Sequence, residues 1–225
     1  MTSMEKSSQS LRTPRAAGLV GIIFAILLAA AIVLVRLAIP HEGSKGASSW
    51  FSDPSRRHTV ETALSLIPFA GIFFLWFMGA VRARIGEAED QFISTVFLGS
   101  GLVFVATLFG AAAAAGSLLV TADAAGVDSQ LQVWSFGNHF TYNLLTTYSM
   151  RMAAVFTFST SSIGHRLGVL PRWLSLLGYL VALILLFVTG NIAWSELVFP
   201  GWALILSLYI LVASFRPRPV PAVSS

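Results

Sequence analysis

The side chains best suited to chemistry in this chain lie in one stretch, NHFTYNLLTTYSMRMAAVFTFS, which covers residues 138–159. Four of them recur at every fourth position and therefore lie along one side of an α-helix. They are His139, Asn143, Thr147 and Arg151, with Tyr148 beside them. The stripe runs for roughly 18 Å along the helix axis. Because a guanidinium matches the geometry of carboxylates and phosphates, the pattern predicts recognition of an anion or of a carboxylate on another chain.

The sequence offers few other residues that could support catalysis or metal binding. The chain has no cysteine, which excludes thiol catalysis, disulfides and cysteine-ligated metal centres. No nucleophile-elbow, zinc-protease or phosphate-loop motif occurs in the sequence. His139 and His165 fall at opposite ends of one predicted helix and cannot share a metal ion. Neither a metal site nor a cofactor is therefore predicted.

The composition of the chain is typical of a membrane protein. Hydrophobic residues make up 56% of the 225 residues, charged residues 11%, and mean hydropathy is +0.78. A soluble domain carries about 25% charged residues, and apolar stretches of about 20 residues are long enough to cross the hydrocarbon. We predict an all-α, polytopic transmembrane helical bundle in residues 16–215, between disordered tails at 1–15 and 216–225. The six predicted spans cover residues 16–39, 62–81, 93–119, 140–161, 173–190 and 197–215.

Two local signals refine this architecture. Asp53 followed by Pro54 predicts the start of the second helix, with Asp as the N-cap and Pro at the first helical position. The third span contains Gly99, Ser100 and Gly101 and then a run of small residues at 110–116. Small residues let helix backbones approach closely, so this span is predicted to form a packing seam.

The distribution of positive charge predicts the orientation of the spans. If six spans alternate, nine Lys and Arg residues fall on the side of the N-terminus and four on the opposite side, all four at the first loop. Loops rich in Lys and Arg stay in the cytoplasm, so both termini are predicted to be cytoplasmic. The net charge of +4 lies near span ends rather than on one basic face, so no nucleic-acid partner is predicted.

The partner of Arg151 is the main question that the sequence raises. A charge near mid-membrane costs at least about 2.5 kcal/mol on insertion scales, and normally faces a bundle interior or a wet cavity. No Asp or Glu lies at a similar depth, since Glu61 and Glu196 sit near outer ends of spans. Carbonyls and hydroxyls, water, a carboxylate of another chain or a lipid phosphate remain as partners. If the helix slides outward, Arg151 snorkels to the interface instead.

A resemblance supports the same architecture. The run LIPFAGIFFLWFMGAVRARIGEAEDQFISTVFLGSG, residues 66–101, resembles a group of actinobacterial six-span integral membrane proteins. The resemblance covers mainly the second and third spans and rests on apolar sequence around a short charged turn. It implies a multi-pass protein of the bacterial plasma (inner) membrane, and it implies no activity and no site residues.

Three functional readings follow from these residues. The first is a non-enzymatic membrane component that binds a partner membrane protein or an anionic lipid, with Arg151 as a buried clamp. The second is a small transporter or channel in which the residues from His139 to Arg151 line a polar path for an anion, and for this function a homo-oligomer is favoured. The third, and least favoured, is an intramembrane enzyme acting on lipid, for which His139 is the only base.

Overall fold

Every regular element in the described part of the chain is helical. The computed structural model describes residues 3–38, 54–85, 91–121, 127–189, 192 and 194–215. The helices are α1 (Ser3–Ala38), α2 (Pro54–Ile85), α3 (Gln91–Thr121), α4 (Val127–Asn143), α5 (Met150–Arg166), α6 (Arg172–Phe187) and α7 (Val198–Phe215). A π-helical turn, Leu144–Ser149, joins α4 to α5, and a 3₁₀ turn, Ser195–Leu197, precedes α7. The predicted all-α class is confirmed.

Four helical segments are long and apolar enough to cross a membrane. They are Arg15–Leu37, Ser55–Ala83, Gln91–Val120 and Ser195–Phe215. The predicted span 140–161 lies in the continuous helical run from α4 to α5, which is too polar to qualify. The predicted span 173–190 coincides with α6, which is apolar but has only 16 residues.

The predictions for the two ends of the chain compare differently with the structure. Helix α1 begins at Ser3, within the N-terminal segment 1–15 that the sequence predicts to be disordered. The predicted disordered tail, 216–225, lies outside the described residues. Helix α2 begins at Pro54, the position at which the sequence predicts a helix start.

The helices form a ring in which each packs on the next and α7 closes on α1. Contacts join α1 to α2, α2 to α3, α3 to α4 and α5, α5 to α6, and α6 to α7. Helices α1 and α7 are antiparallel, because the Arg15 guanidinium lies 4.6 Å from the Phe215 ring centroid while Arg36 contacts Glu196. These contacts define two ends of the bundle, called here the Arg15 end and the Arg36 end.

Phenylalanine side chains fill the middle of the ring. Phe74 of α2 lies 4.9 Å, between ring centroids, from each of Phe24, Phe104 and Phe156. Phe199 joins them at 5.1 Å from Phe104. All five rings are fully buried and they come from five different helices. Edge-on and tilted ring pairs of this kind contribute about 0.5–1.5 kcal/mol beyond area burial, so this phenylalanine cluster holds the ring of helices together.

Glycines set the closest helix approaches. A Cβ at Gly18 of α1 would lie 2.8 Å from Leu211 Cβ, and a Cβ at Gly21 would clash with Ser207 Oγ. In the predicted seam of α3, Gly101 packs against Met78, whereas Gly99 has nothing within 4 Å. Gly18 and Gly21 therefore let α1 approach α7 closely, and the α3 seam is formed by only part of its small residues.

Candidate binding cavity at the Arg36 end

A buried ion pair joins the end of α1 to the start of α7. Arg36, in the last turn of α1, donates through Nη2 to Glu196 Oε1, and Glu196 lies in the 3₁₀ turn. The exposed fraction of the side chain is 11% for Arg36 and 1% for Glu196. Charges removed from water in this way are tolerated only when they are paired and hydrogen-bonded, so each residue depends on the other.

The turn before α7 directs Glu196 inward. Trp194 has φ 70°, in the left-handed region that bulky side chains rarely adopt. Ser195 Oγ donates to the Ile192 carbonyl at 2.8 Å, and the Leu197 amide donates to the Trp194 carbonyl at 3.0 Å. This tight turn places the Glu196 side chain inside the bundle and not on its surface.

A cavity of about 260 Å³ adjoins the ion pair. Its walls come from the end of α1, from α4, from the π-helical turn and from the turn before α7. The lining residues are Ile32, Val35, Arg36, Asn138, His139, Thr141, Tyr142, Leu145, Thr146 and Glu196. Seven of these ten side chains carry a polar group, but most of the exposed wall surface is apolar, and the polar groups converge from different helices, as in small-molecule sites. It is called here the Arg36–Glu196 cavity.

Two polar atoms of this wall are buried and have no hydrogen-bond partner among the described residues. They are Glu196 Oε2 and Thr141 Oγ1. A carboxylate oxygen only accepts, whereas a hydroxyl both donates and accepts. Leaving such groups unsatisfied costs about 1–3 kcal/mol each, which favours the entry of a group that bonds to them.

The π-helical turn shapes the wall of the cavity. Thr146 Oγ1 donates to the Tyr142 carbonyl at 2.8 Å, and Ser149 Oγ donates to Thr107 Oγ1 of α3 at 2.9 Å. The first bond stays within the helical run, and the second holds the turn against α3. A π-turn carries an extra residue within the helical run and recurs at functional sites. The faces of α4 and α5 are consequently out of step with a regular α-helix.

The predicted stripe of site residues is not assembled into one site. His139 lines the cavity and its Nδ1 hydrogen-bonds the Ser135 carbonyl at 2.7 Å. Asn143, Tyr148 and Arg151 are exposed and Thr147 is half-buried, and none of the four lines the cavity. The spacing of four keeps residues aligned only in an unbroken α-helix, and the π-turn falls in the middle of the stripe.

Arg151 is exposed on the outside of the bundle and not in its interior. Among the described residues it takes part in no hydrogen bond or ion pair. Among the described residues the structure buries Arg36 and pairs it with Glu196. The sequence predicts Glu196 near the outer end of a span and Arg36 among the four basic residues at the first loop, and it predicts no pairing between them. A signal existed, since opposite charges end the first span and begin the last.

The fold and the cavity define a class: an all-helical bundle with several helices able to span a membrane and, in the part of the chain that the structure describes, a cavity beside a buried ion pair at one end. No family model matches the chain, and neither do the curated proteins or the solved structures with which it was compared.

Proposed function

We propose that this chain is a six-span, non-enzymatic protein of the bacterial plasma membrane that binds a small amphipathic ligand in the Arg36–Glu196 cavity. The observation that carries the proposal is Glu196 Oε2, a buried carboxylate oxygen without a partner in the wall of a cavity. The placement in a membrane is supported by the four long apolar helices. In this placement the run from α4 to α5 and helix α6 supply the other two crossings.

The proposal also places both termini on the cytoplasmic side of the membrane. An even number of crossings requires the two ends of the chain to lie at one end of the bundle. The contact between Arg15 and Phe215 supports this, because it joins the start of the first span to the end of the last. The excess of Lys and Arg on that side favours the Arg15 end as the cytoplasmic one. The cavity then opens in the outer half of the membrane.

The wall chemistry suggests the ligand class. Glu196 Oε1 already accepts from Arg36, so the free Oε2 selects a ligand that donates a hydrogen bond, such as an ammonium or hydroxyl group. Ile32, Val35 and Leu145 offer an apolar surface for the rest of the molecule. The cavity volume of about 260 Å³ is below the roughly 300–1,000 Å³ of sites for drug-sized ligands, so the ligand is small.

The test compares three probes that differ only in their polar head: hexylamine, hexanol and hexanoate. Purified protein in lipid nanodiscs is titrated with each probe, and the unfolding temperature is followed, because a ligand that binds only the folded state raises it. We expect hexylamine to bind most tightly, hexanol less tightly and hexanoate least. Thr141→Val should weaken hexylamine and hexanol, and Ser117→Ala, an exposed hydroxyl on α3, should change nothing.

A stronger shift with hexanoate would overturn the donor requirement and make Arg36 the recognising group. Equal shifts for all three probes, unchanged in Thr141→Val, would show partition into the lipid and not binding in the cavity. Both results are readable without knowledge of the natural ligand.

Transport of an anion is the second candidate, favoured by His139, which belongs to the predicted polar path and lines the cavity. The phenylalanine cluster would then be the closed gate beneath an outward-facing site. Uptake of labelled phosphate and chloride into proteoliposomes tests this reading. Rates equal to those of empty liposomes would reject it, whereas rates abolished by His139→Gln would favour it over simple binding.

A further inference from the structure

We propose that the outer surface around Arg151 docks a transmembrane helix of another protein, which carries an Asp or Glu near its middle. The Arg151 surface consists of Tyr148, Arg151, Val155 and Phe158, which follow one another along the outside of the π-turn and α5. The inference rests on the membrane placement proposed above. It does not depend on the Arg36–Glu196 cavity, whose residues are all different.

The position of Arg151 along the helix carries the argument. It lies roughly 18 Å from His139, at the cavity, and roughly 22 Å from Arg166, at the other end of α5. Arg151 is thus close to the midpoint between the two ends of the bundle. Tyr148 and Phe158 on the same surface are 57% and 54% exposed, so the charge lies in a face that is otherwise aromatic and apolar.

An exposed guanidinium at mid-depth needs a partner, because a charge there is unfavourable in contact with lipid tails. The described part of this chain gives it none, and the sequence has no Asp or Glu between Gln91 and Thr121 or between Ser129 and Ser195. Since the described residues offer no charged partner, the proposal assigns that partner to another molecule. A carboxylate matches the guanidinium fork, and the aromatic flanks offer packing to a helix laid along them.

Two other occupants fit less well. In a symmetric pair of copies, the same surface would place two Arg151 side chains against each other, and like charges repel strongly in a medium of low dielectric. A lipid headgroup lies about 15 Å from mid-membrane, which is far beyond the short methylene stem of an arginine. Charge complementarity at this depth leaves an acidic transmembrane helix as the occupant.

The test uses a synthetic Leu/Ala transmembrane peptide with one Glu at its centre. Because the chain has no cysteine, Gln91→Cys provides a single labelling site for energy transfer to the labelled peptide in phosphatidylcholine vesicles. We expect the central-Glu peptide to associate at least about tenfold more tightly than the same peptide with central Gln. Moving the Glu to the peptide end should remove the advantage.

Variants of the protein decide whether Arg151 is responsible. Arg151→Gln should abolish the preference for central Glu, and Arg151→Lys should retain only part of it because the fork is lost. Arg172→Gln removes one charge from the end of α6 and is the matched control; it should bind like the wild type. Arg151 is exposed, so these variants should elute and unfold like the parent protein.

Three results would overturn the inference. One is equal association of the Glu and Gln peptides with the wild type. Another is a preference for Glu that survives in Arg151→Gln. The third is loss of the preference when phosphatidylglycerol replaces part of the phosphatidylcholine, which would assign the surface to an anionic headgroup. A failure here with intact hexylamine binding would reject the docking surface and leave the cavity proposal standing.

Discussion

Arg36 and Glu196 stand at the end of the first and the beginning of the last described apolar helices, and their hydrogen bond joins these two helices at one end of the bundle. At the other end Arg15 lies over the ring of Phe215. Helices α1 and α7 are thus held together at both ends, although the two members of each pair are far apart in the chain. The cavity depends on the first of these contacts, since both members of the ion pair form part of its wall.

Removal of one partner of the buried pair should destabilise the protein more than removal of both. Glu196→Gln or Arg36→Met alone leaves an uncompensated buried group and should cost about 3–5 kcal/mol, whereas the double variant should recover much of that loss. Thermal and SDS unfolding of the four proteins in one double-mutant cycle gives the coupling. Additive losses in the double variant would mean that the two charges do not interact.

Close approach of α1 and α7 predicts that Gly21 does not tolerate a side chain. In Gly21→Ala the new Cβ would meet Ser207 Oγ and would lie 2.6 Å from Phe77 Cδ2, so either α1 or the phenylalanine ring must shift. Overpacking of this kind costs about 1–3 kcal/mol. Gly79→Ala is the matched control, because nothing lies within 4 Å of that position. Gly21→Ala should therefore lower the unfolding temperature, whereas Gly79→Ala should leave it unchanged or raise it slightly.

Much of the helical pattern could be predicted from the sequence, because the length of an apolar run and the residues that begin a helix are local features. The run from 16 to 39 predicted the apolar part of α1, and Pro54 predicted where α2 begins. The sequence did not predict that α1 begins at Ser3, well before its apolar part. Hydropathy does not specify how far a helix continues into polar sequence.

The candidate site was harder to predict, because it depends on packing order and on one break in helical geometry. Opposite charges end the first apolar run and begin the last, but only the packing order shows that α1 and α7 are neighbours, so the pairing of Arg36 with Glu196 was not predicted. The spacing of His139 and Arg151 assumed an unbroken α-helix, and the π-turn between them separates their faces. Of the predicted stripe only His139 reaches the cavity.

The phenylalanine cluster should be the main source of cohesion in the middle of the bundle. Phe74→Ala removes the ring that contacts Phe24, Phe104 and Phe156, and should cost about 3–5 kcal/mol because the rigid surroundings cannot fill the space. Phe69→Ala, one and a half turns earlier on the exposed side of α2, removes the same atoms from a surface position. Unfolding in SDS should separate the two variants clearly. If their losses are equal, the cluster adds no more to stability than a ring on the exposed surface does.

Thr141 offers a test in which stability and binding should move in opposite directions. Its hydroxyl is buried without a partner among the described residues, so Thr141→Val replaces an unsatisfied group by a methyl of similar shape. The ligand-free protein should become no less stable, and up to about 1 kcal/mol more stable, because the desolvation penalty disappears. Hexylamine should nevertheless bind about tenfold more weakly if the hydroxyl accepts a hydrogen bond from the ligand head. Unfolding temperatures with and without the probe measure both quantities in one experiment.

A loss of stability without ligand would mean that the Thr141 hydroxyl already has a partner in the folded protein, such as an ordered water. Unchanged affinity in a protein of raised stability would place the ligand head away from Thr141 and against another polar group of the wall, of which Glu196 Oε2 is the one that the proposal names.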